Sequence, residues 1–439
     1  MIGNHSLILR GGIGIVMSAC AVVSWMRVPR LRIASASFLR PFMATYAVSR
    51  LGLYTLAMLV LHLRPQGDVI LYMEEGAPAL AGKLVYRDFL TPHAPLSPYF
   101  LASMLRLHNS PLTLILFAIL FDIATIYIWL KAASFFLDPI TLQRAALLVL
   151  FSPTSLITEA IDGQMNAFIA LCLALAVYAL VCRRDLLSGA LVAVPACAVK
   201  FITLMYAPGF LFASRRKLTA SAGFVAVILI PYVSFALAGA DLAGPLRAEG
   251  AHITCSNLTF LIELVTGRSL GLRLPDAFLA LSWLLIVSLT FLAMRRASGS
   301  APANRRRVFY LLTISLIAEL LCIIVFSKNT WDRYLVMAMF PLCTLVAEMT
   351  LPEVIGYAVF ATVAGWEPTY WALMLNWTPA LQLHARLLAG DHLTLIMLAA
   401  ELVEVGGSLY LWIACLRRLA AIPAIASTAT PDLLPQLVA

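Results

Sequence analysis

The sequence predicts an all-α protein, a polytopic bundle of about 11–13 transmembrane helices. Hydrophobic residues make up 62% of the 439 residues and charged residues only 12%, whereas a soluble domain carries about 25% charged residues. The mean hydropathy is +0.92. Apolar stretches close to the length of about 20 residues that a span requires recur along the whole chain. We predict that these stretches are helices, because a spanning helix satisfies its own backbone hydrogen bonds where lipid offers no partner.

The predicted apolar segments cover residues 7–26, 41–63, 111–130, 141–161, 166–182, 186–213, 218–238, 276–294, 308–327, 334–350, 353–374 and 394–416. Arg27 directly follows the first segment, which therefore favours an uncleaved span over a signal peptide. The segment 186–213 is too long for one straight crossing and too short for two. Pro195, Lys200 and Pro208 interrupt it, so we predict a hairpin of two half-helices with Lys200 at its tip.

Basic residues lie in clusters at the ends of these segments, as in cytoplasmic loops. The clusters fall within residues 27–40, 183–184, 215–217, 295–307 and 417–418. If all of these clusters lie in the cytoplasm, the loops alternate consistently between the two sides of the membrane only when the segment 186–213 returns to the side that it left. The N-terminus and the loops 64–110, 239–275 and 375–393 are then predicted outside. The net charge of +9 is explained by these clusters, and no nucleic-acid partner is expected.

The first outer loop concentrates ionisable residues in a chain that is poor in them. They are Asp68, Glu74, Glu75, Lys83, Arg87, Asp88 and His93. Asp68 directly follows a predicted span, so its carboxylate is expected at the boundary between membrane and water. Residues 69–77 suit an amphipathic juxtamembrane helix. The alternative interpretation is an ordinary solvated loop.

Further polar residues are predicted on the same side of the membrane as Asp68. They are Asp162, Gln164, Lys200, Lys328 and the run from Trp331 to Tyr334. A lysine near mid-membrane costs about 2.5–3.5 kcal/mol and usually has an anionic partner. Structural alternatives remain open: snorkelling for Lys200, helix capping for Asp162, and an ion pair with a loop acid for Arg333. Their placement together favours a functional site.

Acids also occur inside predicted spans, where they are functional candidates by default. These are Asp122, Glu319, Glu401 and Glu404. The sequence contains no HExxH pair and no DxD motif, and among the cysteines only Cys255 lies away from an apolar segment. We therefore expect no metal ion and no cofactor.

Several short motifs stand out: residues 86–89 (YRDF), 95–99 (PLSPY), 162–164 (DGQ, after Ser152-Pro153), Lys200 in its proline-bounded hairpin and 331–334 (WDRY). Together with Asp68 after an early span, they resemble the motifs of the GT-C superfamily of integral membrane glycosyltransferases. The likeness is greatest to the branch that takes mannose or related sugars from polyprenyl phosphate. It departs where Ala94 replaces a frequent proline, where Asn166 replaces a frequent acid, and where Asp68 stands without a second acid. The resemblance implies a catalytic core over residues 1–350 and additional helices with a disordered cytoplasmic tail over 351–439.

The resemblance also implies an inverting transfer from a polyprenyl- or dolichyl-phosphate sugar to a lipid or glycan acceptor at the extracytoplasmic or lumenal face. Asp68 is the expected general base. The leaving group is a phosphate anion, so no general acid is needed. Lys200 and Arg333, followed by Arg87 and Lys328, are the expected phosphate-binding cations. The expected substrate-binding residues are Tyr86, Asp88, His93, Asp162, Gln164 and Tyr334.

Two other functions remain open from the sequence. A transporter or lipid flippase would show paired broken helices in two related halves, whereas only one broken hairpin is evident. A non-catalytic subunit of a membrane complex would tolerate replacement of its loop acids. In every case the protein is expected to be multi-pass, in the plasma membrane of a prokaryote or the endoplasmic reticulum of a eukaryote.

Overall fold

The computed structural model describes residues 2–31, 35–65, 67–245, 253–297 and 302–421. Helices make up most of this part of the chain, and within it there is no β-strand, only an isolated bridge between Val85 and Phe89. The predicted polytopic all-α bundle is confirmed. The predicted disordered tail, from residue 422 onward, lies outside the described residues.

The helices that we number are α1 (Ile2–Leu31), α2 (Ser35–Tyr54), α3 (Asp68–Leu80), α4 (Ser97–Leu105), α5 (Pro111–Ala133), α6 (Pro139–Leu150), α7 (Pro153–Ala160), α8 (Asn166–Val181), α9 (Asp185–Ala198), α10 (Ala207–Ala213), α11 (Lys217–Leu237), α12 (Leu258–Thr266), α13 (Arg273–Ala297), α14 (Pro302–Phe326), α15 (Met339–Ala347), α16 (Leu351–Ala364), α17 (Glu367–Met374), α18 (Ala380–Leu388) and α19 (His392–Ala420). A π-helical turn, Thr55–Val60, extends α2. The 3₁₀ turns Phe201–Tyr206 and Asp332–Ala338 precede α10 and α15.

Among the described residues, seven helices are long and apolar enough to cross a membrane in one piece. They are α1, α2 with its π-helical extension, α5, α11, α13, α14 and α19. The pair α6 and α7 adds an eighth span if it counts as one helix bent by 49°. The other predicted spans appear as shorter or interrupted helices: α8, α15, and α16 followed by α17. The predicted number of spans is therefore reached only if these helices also cross.

The segment 186–213 forms the predicted hairpin. Helix α9 ends at Ala198, and Lys200 has an extended backbone before the 3₁₀ turn that leads into α10. The backbone N–H of Arg215 donates to Asp185 Oδ1 (3.1 Å), so the two ends of the hairpin meet. The chain therefore returns to the end of the bundle from which it left, and Lys200 lies at the tip.

The loop 64–110 folds into α3 and α4, as the amphipathic pattern predicts for α3. Its buried face carries Val69, Tyr72 and Glu75. At Gly76 an added Cβ would lie 2.6 Å from Leu105 Cδ1, so a larger residue there would require the Leu105 side chain to move. The close packing fixes the direction of α3 and with it the position of its first residue, Asp68.

Helix α14 is the centre of the bundle, and 89% of the residues in its most apolar stretch are buried. It packs against α13, α19 and the 3₁₀ turn that precedes α15. The helices after residue 350 surround this centre, since α16 packs on α1 and α19 on α14. Trp371 of α17 packs against Trp331 with ring centroids 6.0 Å apart, so the C-terminal helices also contact the loop that carries Arg333.

Candidate active site

Four chain segments bring polar residues together at one end of the bundle. Asp68 begins α3, Gln164 lies in the turn after α7, Lys200 is at the hairpin tip, and Arg333 follows α14. Each segment connects apolar helices, so its polar side chains have no place within the apolar core. The segments are distant in the sequence, and their meeting depends on the tertiary fold.

The backbone at Gly67 directs Asp68 toward Arg333. Gly67 has a φ of +71°, a conformation that favours glycine. A Cβ at this position would lie 3.0 Å from Arg333 Nη1. Asp68 occupies the first turn of α3, where the helix dipole stabilises a negative charge.

Asp68 and Arg333 form an ion pair in which Arg333 Nη1 lies 3.4 Å from Asp68 Oδ1. Burial is the largest single influence on the pKa of the Asp68 carboxyl and raises it. The positive charges of Arg333 and Lys200 act against burial. With smaller contributions from His93 and Gln164, they hold the pKa below its usual range. The side chain keeps 30% of its surface exposed, so a substrate can reach the carboxylate.

The loop around Arg333 is fixed by its backbone. The N–H of Arg333 donates to Asp332 Oδ1 (2.8 Å), and Asn166 Nδ2 donates to the Arg333 carbonyl (3.3 Å). Burial lowers the pKa of Arg333, but Asp68 and Asp162, with Asp332, outweigh it and raise the pKa above its usual value. The guanidinium is therefore a permanent cation held beside Asp68.

Lys200 is placed differently from Arg333. Its Nζ lies 4.1 Å from the centroid of the Tyr334 ring, a cation–π contact. Within the described part of the chain, no carboxylate forms a salt bridge with Lys200. Its ammonium group can therefore bind an added anion without breaking an existing ion pair.

A network under Asp68 orients the remaining polar groups. His93 Nδ1 lies 2.8 Å from Glu75 Oε1, and Tyr86 donates its hydroxyl to the His93 carbonyl. Tyr72 donates its hydroxyl to Gln164 Oε1 at 3.4 Å. Nε2 of the buried Gln164 makes no close hydrogen bond among the described residues, although its amide helps to lower the pKa of the nearby Asp68 carboxyl. Such an amide is well suited to bind a sugar hydroxyl.

Four of the predicted site residues, Arg87, Asp88, Lys328 and Asp162, form ion pairs that do not include Asp68, Lys200 or Arg333. Arg87 is mostly exposed and pairs with its neighbour Asp88 at 2.9 Å. Lys328 Nζ lies 2.7 Å from Asp276 Oδ2. Asp162 accepts from Arg10 Nη1 at 3.0 Å, deep in the protein.

Sequence reasoning missed Arg10 and Tyr72. An arginine inside a predicted span requires an anionic partner, and this signal could have led from Arg10 to Asp162. Tyr72 lies four residues after Asp68 in α3, so helical periodicity places both side chains on one face. Both residues line or support the site around Asp68.

Comparison with known proteins adds one match. The model of the family described as "Glycosyltransferase family 87" matches residues 92–325, more than half of the chain. The matched range includes His93, Gln164 and Lys200, while Asp68 and Arg333 lie outside it. No curated protein and no solved structure matches the chain.

Proposed function

Because the chain belongs to glycosyltransferase family 87, a GT-C-type family of membrane enzymes, we propose that it transfers mannose from a polyprenyl-phosphate donor to a hydroxyl group of a lipid or glycan. The family makes the protein a glycosyltransferase and so favours an enzyme over a transporter, a flippase or a non-catalytic subunit. The seven candidate spans make it a multi-pass integral membrane protein. The sugar, the donor, the extracytoplasmic face and the mechanism are our proposal.

One observation carries the proposed mechanism: Asp68, an accessible carboxylate, lies near two cations from different segments, Arg333 and Lys200. An inverting transfer needs a base on the acceptor side of the anomeric carbon and positive charge on the leaving-group side. Asp68 supplies the base, and Lys200 and Arg333 supply the charge. The donor's polyprenyl chain would remain in the lipid.

The bonds change in a single displacement. The acceptor oxygen gives its proton to Asp68 and forms a new bond to the anomeric carbon. The bond from that carbon to the phosphate oxygen breaks, and polyprenyl phosphate leaves with one additional negative charge. Lys200 and Arg333 stabilise this charge. We therefore propose a transfer step that needs no metal ion or cofactor.

Donor binding also strengthens the base in this scheme. A carboxylate with a lowered pKa is ionised at neutral pH but accepts a proton weakly. A bound phosphate offsets the positive field of Lys200 and Arg333 at Asp68, so the pKa of the carboxyl rises. The base becomes effective only when the donor is in place.

The predicted site residues take three roles in this proposal: sugar binding, phosphate binding and support of the site. We propose that Gln164, Tyr334 and the His93 segment with Tyr86 bind sugar hydroxyls. Lys200 and Arg333 are favoured for the phosphate over Lys328 and Arg87, because the last two already pair with Asp276 and Asp88. Asp162 supports the site through Arg10 and through its charge near Arg333. The choice of mannose depends on the motif resemblance.

The proposal is tested with the full-length protein in lipid nanodiscs. Polyprenyl-phosphate mannose is supplied as radiolabelled donor, with lipid and glycan acceptors, and the glucose and arabinose donors are compared. Asp68→Asn is expected to abolish transfer while the protein remains folded. Glu74→Gln, which alters an exposed acid on the same helix, is the matched control and should keep activity. Full activity of Asp68→Asn would refute the role of Asp68, and transfer only from another donor would refute mannose.

A further inference from the structure

A second polar cluster lies beside the site but does not contain Asp68. It joins Cys255 before α12, Glu367 at the start of α17, and Glu401 and Glu404 in α19. All four side chains are buried. One ligand atom from each of Cys255, Glu367 and Glu401 lies within 4.8 Å of the other two. The Glu404 carboxyl lies against that of Glu367.

The carboxyl groups of this cluster have too few partners. Ser256 donates its N–H to Glu401 Oε1 (2.8 Å) and its hydroxyl to Glu367 Oε2 (2.9 Å). In the described part of the chain, no N–H or hydroxyl group donates to the second oxygen of either acid or to either oxygen of Glu404, whose carboxyl faces that of Glu367. No lysine, arginine or histidine in the described ranges forms a salt bridge with them. Buried carboxylates require a compensating cation or must be neutralised.

We propose that this cluster binds one divalent transition-metal ion of the zinc type. Cys255 Sγ and one oxygen each from Glu367, Glu401 and Glu404 provide four ligands, the number that Zn²⁺ takes in closed structural sites. The sulfur ligand favours such an ion over Mg²⁺ or Ca²⁺, which prefer oxygen alone. No described group donates a hydrogen bond to the two oxygens of Glu404, and the proposed ion would compensate the charge of this buried carboxylate.

The ion would connect the C-terminal helices to the loop that carries Arg333. Thr254, next to Cys255, donates its N–H to the Lys328 carbonyl (3.0 Å). The N–H of Thr330 donates to Thr254 Oγ1 (2.9 Å), three residues before Arg333. An ion held by Cys255, α17 and α19 would therefore restrict the movement of the Arg333 loop through the hydrogen bonds of Thr254. Its ligands are positioning residues and do not touch the substrate.

The metal site itself does not depend on the proposed function, and its test needs no donor or acceptor. Full-length protein is purified, stripped with a chelator, loaded with Zn²⁺ and analysed for metal by mass spectrometry. About one tightly bound ion per chain is expected. Cys255→Ser and Glu401→Gln should lose it. Cys343→Ser and Glu319→Gln, which alter a buried cysteine and a buried acid elsewhere, should keep it.

Two further measurements keep the proposal falsifiable if a cluster variant fails to fold. Co²⁺-loaded wild-type protein should show a thiolate-to-cobalt absorption band that Zn²⁺ removes, and its absence would refute Cys255 as a ligand. Metal loading should slow hydrogen exchange in residues 254–257 and 328–333. Zinc-loaded protein with unchanged exchange there would refute the link to Arg333. Wild-type protein that retains no more zinc than Glu401→Gln would refute the site.

Discussion

Replacement of Arg333 by glutamine should raise the pKa of Asp68 and thereby move the acid limb of the pH–rate profile. Activity in the proposed mechanism requires ionised Asp68, so kcat/KM falls as pH drops through the pKa of this group in the free enzyme. In the wild type the nearby cations hold that pKa below the usual aspartate range. Without Arg333, the effect of burial is opposed less, and the limb shifts to higher pH.

The magnitude follows from the distance between the charges. At 3.4 Å the Coulomb energy is about 1.2 kcal/mol in bulk water and about 5 kcal/mol at an effective dielectric constant of about 20. The Asp68 side chain is 30% exposed and that of Arg333 12% exposed, so solvent screens the pair in part. A loss of about 1.4–2.7 kcal/mol corresponds to a rise of about 1–2 pKa units.

The assay is the pH dependence of kcat/KM for sugar transfer with the acceptor at a fixed concentration. Arg333→Lys retains the charge and should show a smaller shift than Arg333→Gln. Arg106→Gln removes an exposed arginine from the loop 64–110, which also contains Asp68, and should leave the limb in place. An acid limb that is the same in Arg333→Gln and in the wild type would refute the electrostatic coupling to Asp68.

Three other perturbations test separate parts of the site. Lys200→Ala should raise the donor KM about tenfold or more, since a charge-assisted hydrogen bond contributes about 1.5–3 kcal/mol. The donor KM is measured by steady-state kinetics, and an unchanged value would contradict the phosphate-binding role of Lys200. Gly67→Ala should cost about 1–3 kcal/mol because the combination of φ +71° and ψ −143° is adopted readily only by glycine. It should also displace the Arg333 guanidinium, so transfer should fall more than thermal stability does. A fully active variant would contradict the requirement for glycine. Arg10→Gln should lower the free energy of unfolding by about 3–5 kcal/mol because it leaves Asp162 buried without its partner. The double variant with Asp162→Asn should recover part of that loss, and equal melting temperatures for wild type and Arg10→Gln would show that the pair is unimportant.

The sequence predicts the side of the bundle on which the site forms, because that information is local. Asp68 follows a span directly, and Lys200 stands between two prolines in a segment whose length permits only a hairpin. The distribution of basic residues then requires the hairpin to return to its starting side. The contact between Arg215 and Asp185 bears out this argument.

The choice among the cations could not be made from the sequence. Lys200 and Lys328 both lie in turns between apolar segments, and nothing local distinguishes them. Lys328 pairs with Asp276, 52 positions away, and Arg10 pairs with Asp162, 152 positions away. These partners meet only through helix packing.

A local signal was available for the bend between α6 and α7. We predicted one span over residues 141–161, but Ser152 and Pro153 form a typical helix start. Ser152 Oγ accepts from the N–H of Ser155 at 3.4 Å, and Pro153 occupies the first helical position. The new helix therefore begins at Pro153 and carries the chain to the turn with Asp162 and Gln164.

The two cations beside Asp68 impose an order of events on the proposed reaction. Arg333 and Lys200 lower the basicity of Asp68 as long as no phosphate is present. An acceptor that arrives first therefore meets a weak base and keeps its proton. Once the donor phosphate binds, the same cations are directed to the leaving group and Asp68 gains proton affinity. Activation of the acceptor is thus coupled to the presence of the donor, and a variant that lacks either cation should lose this coupling as well as donor affinity.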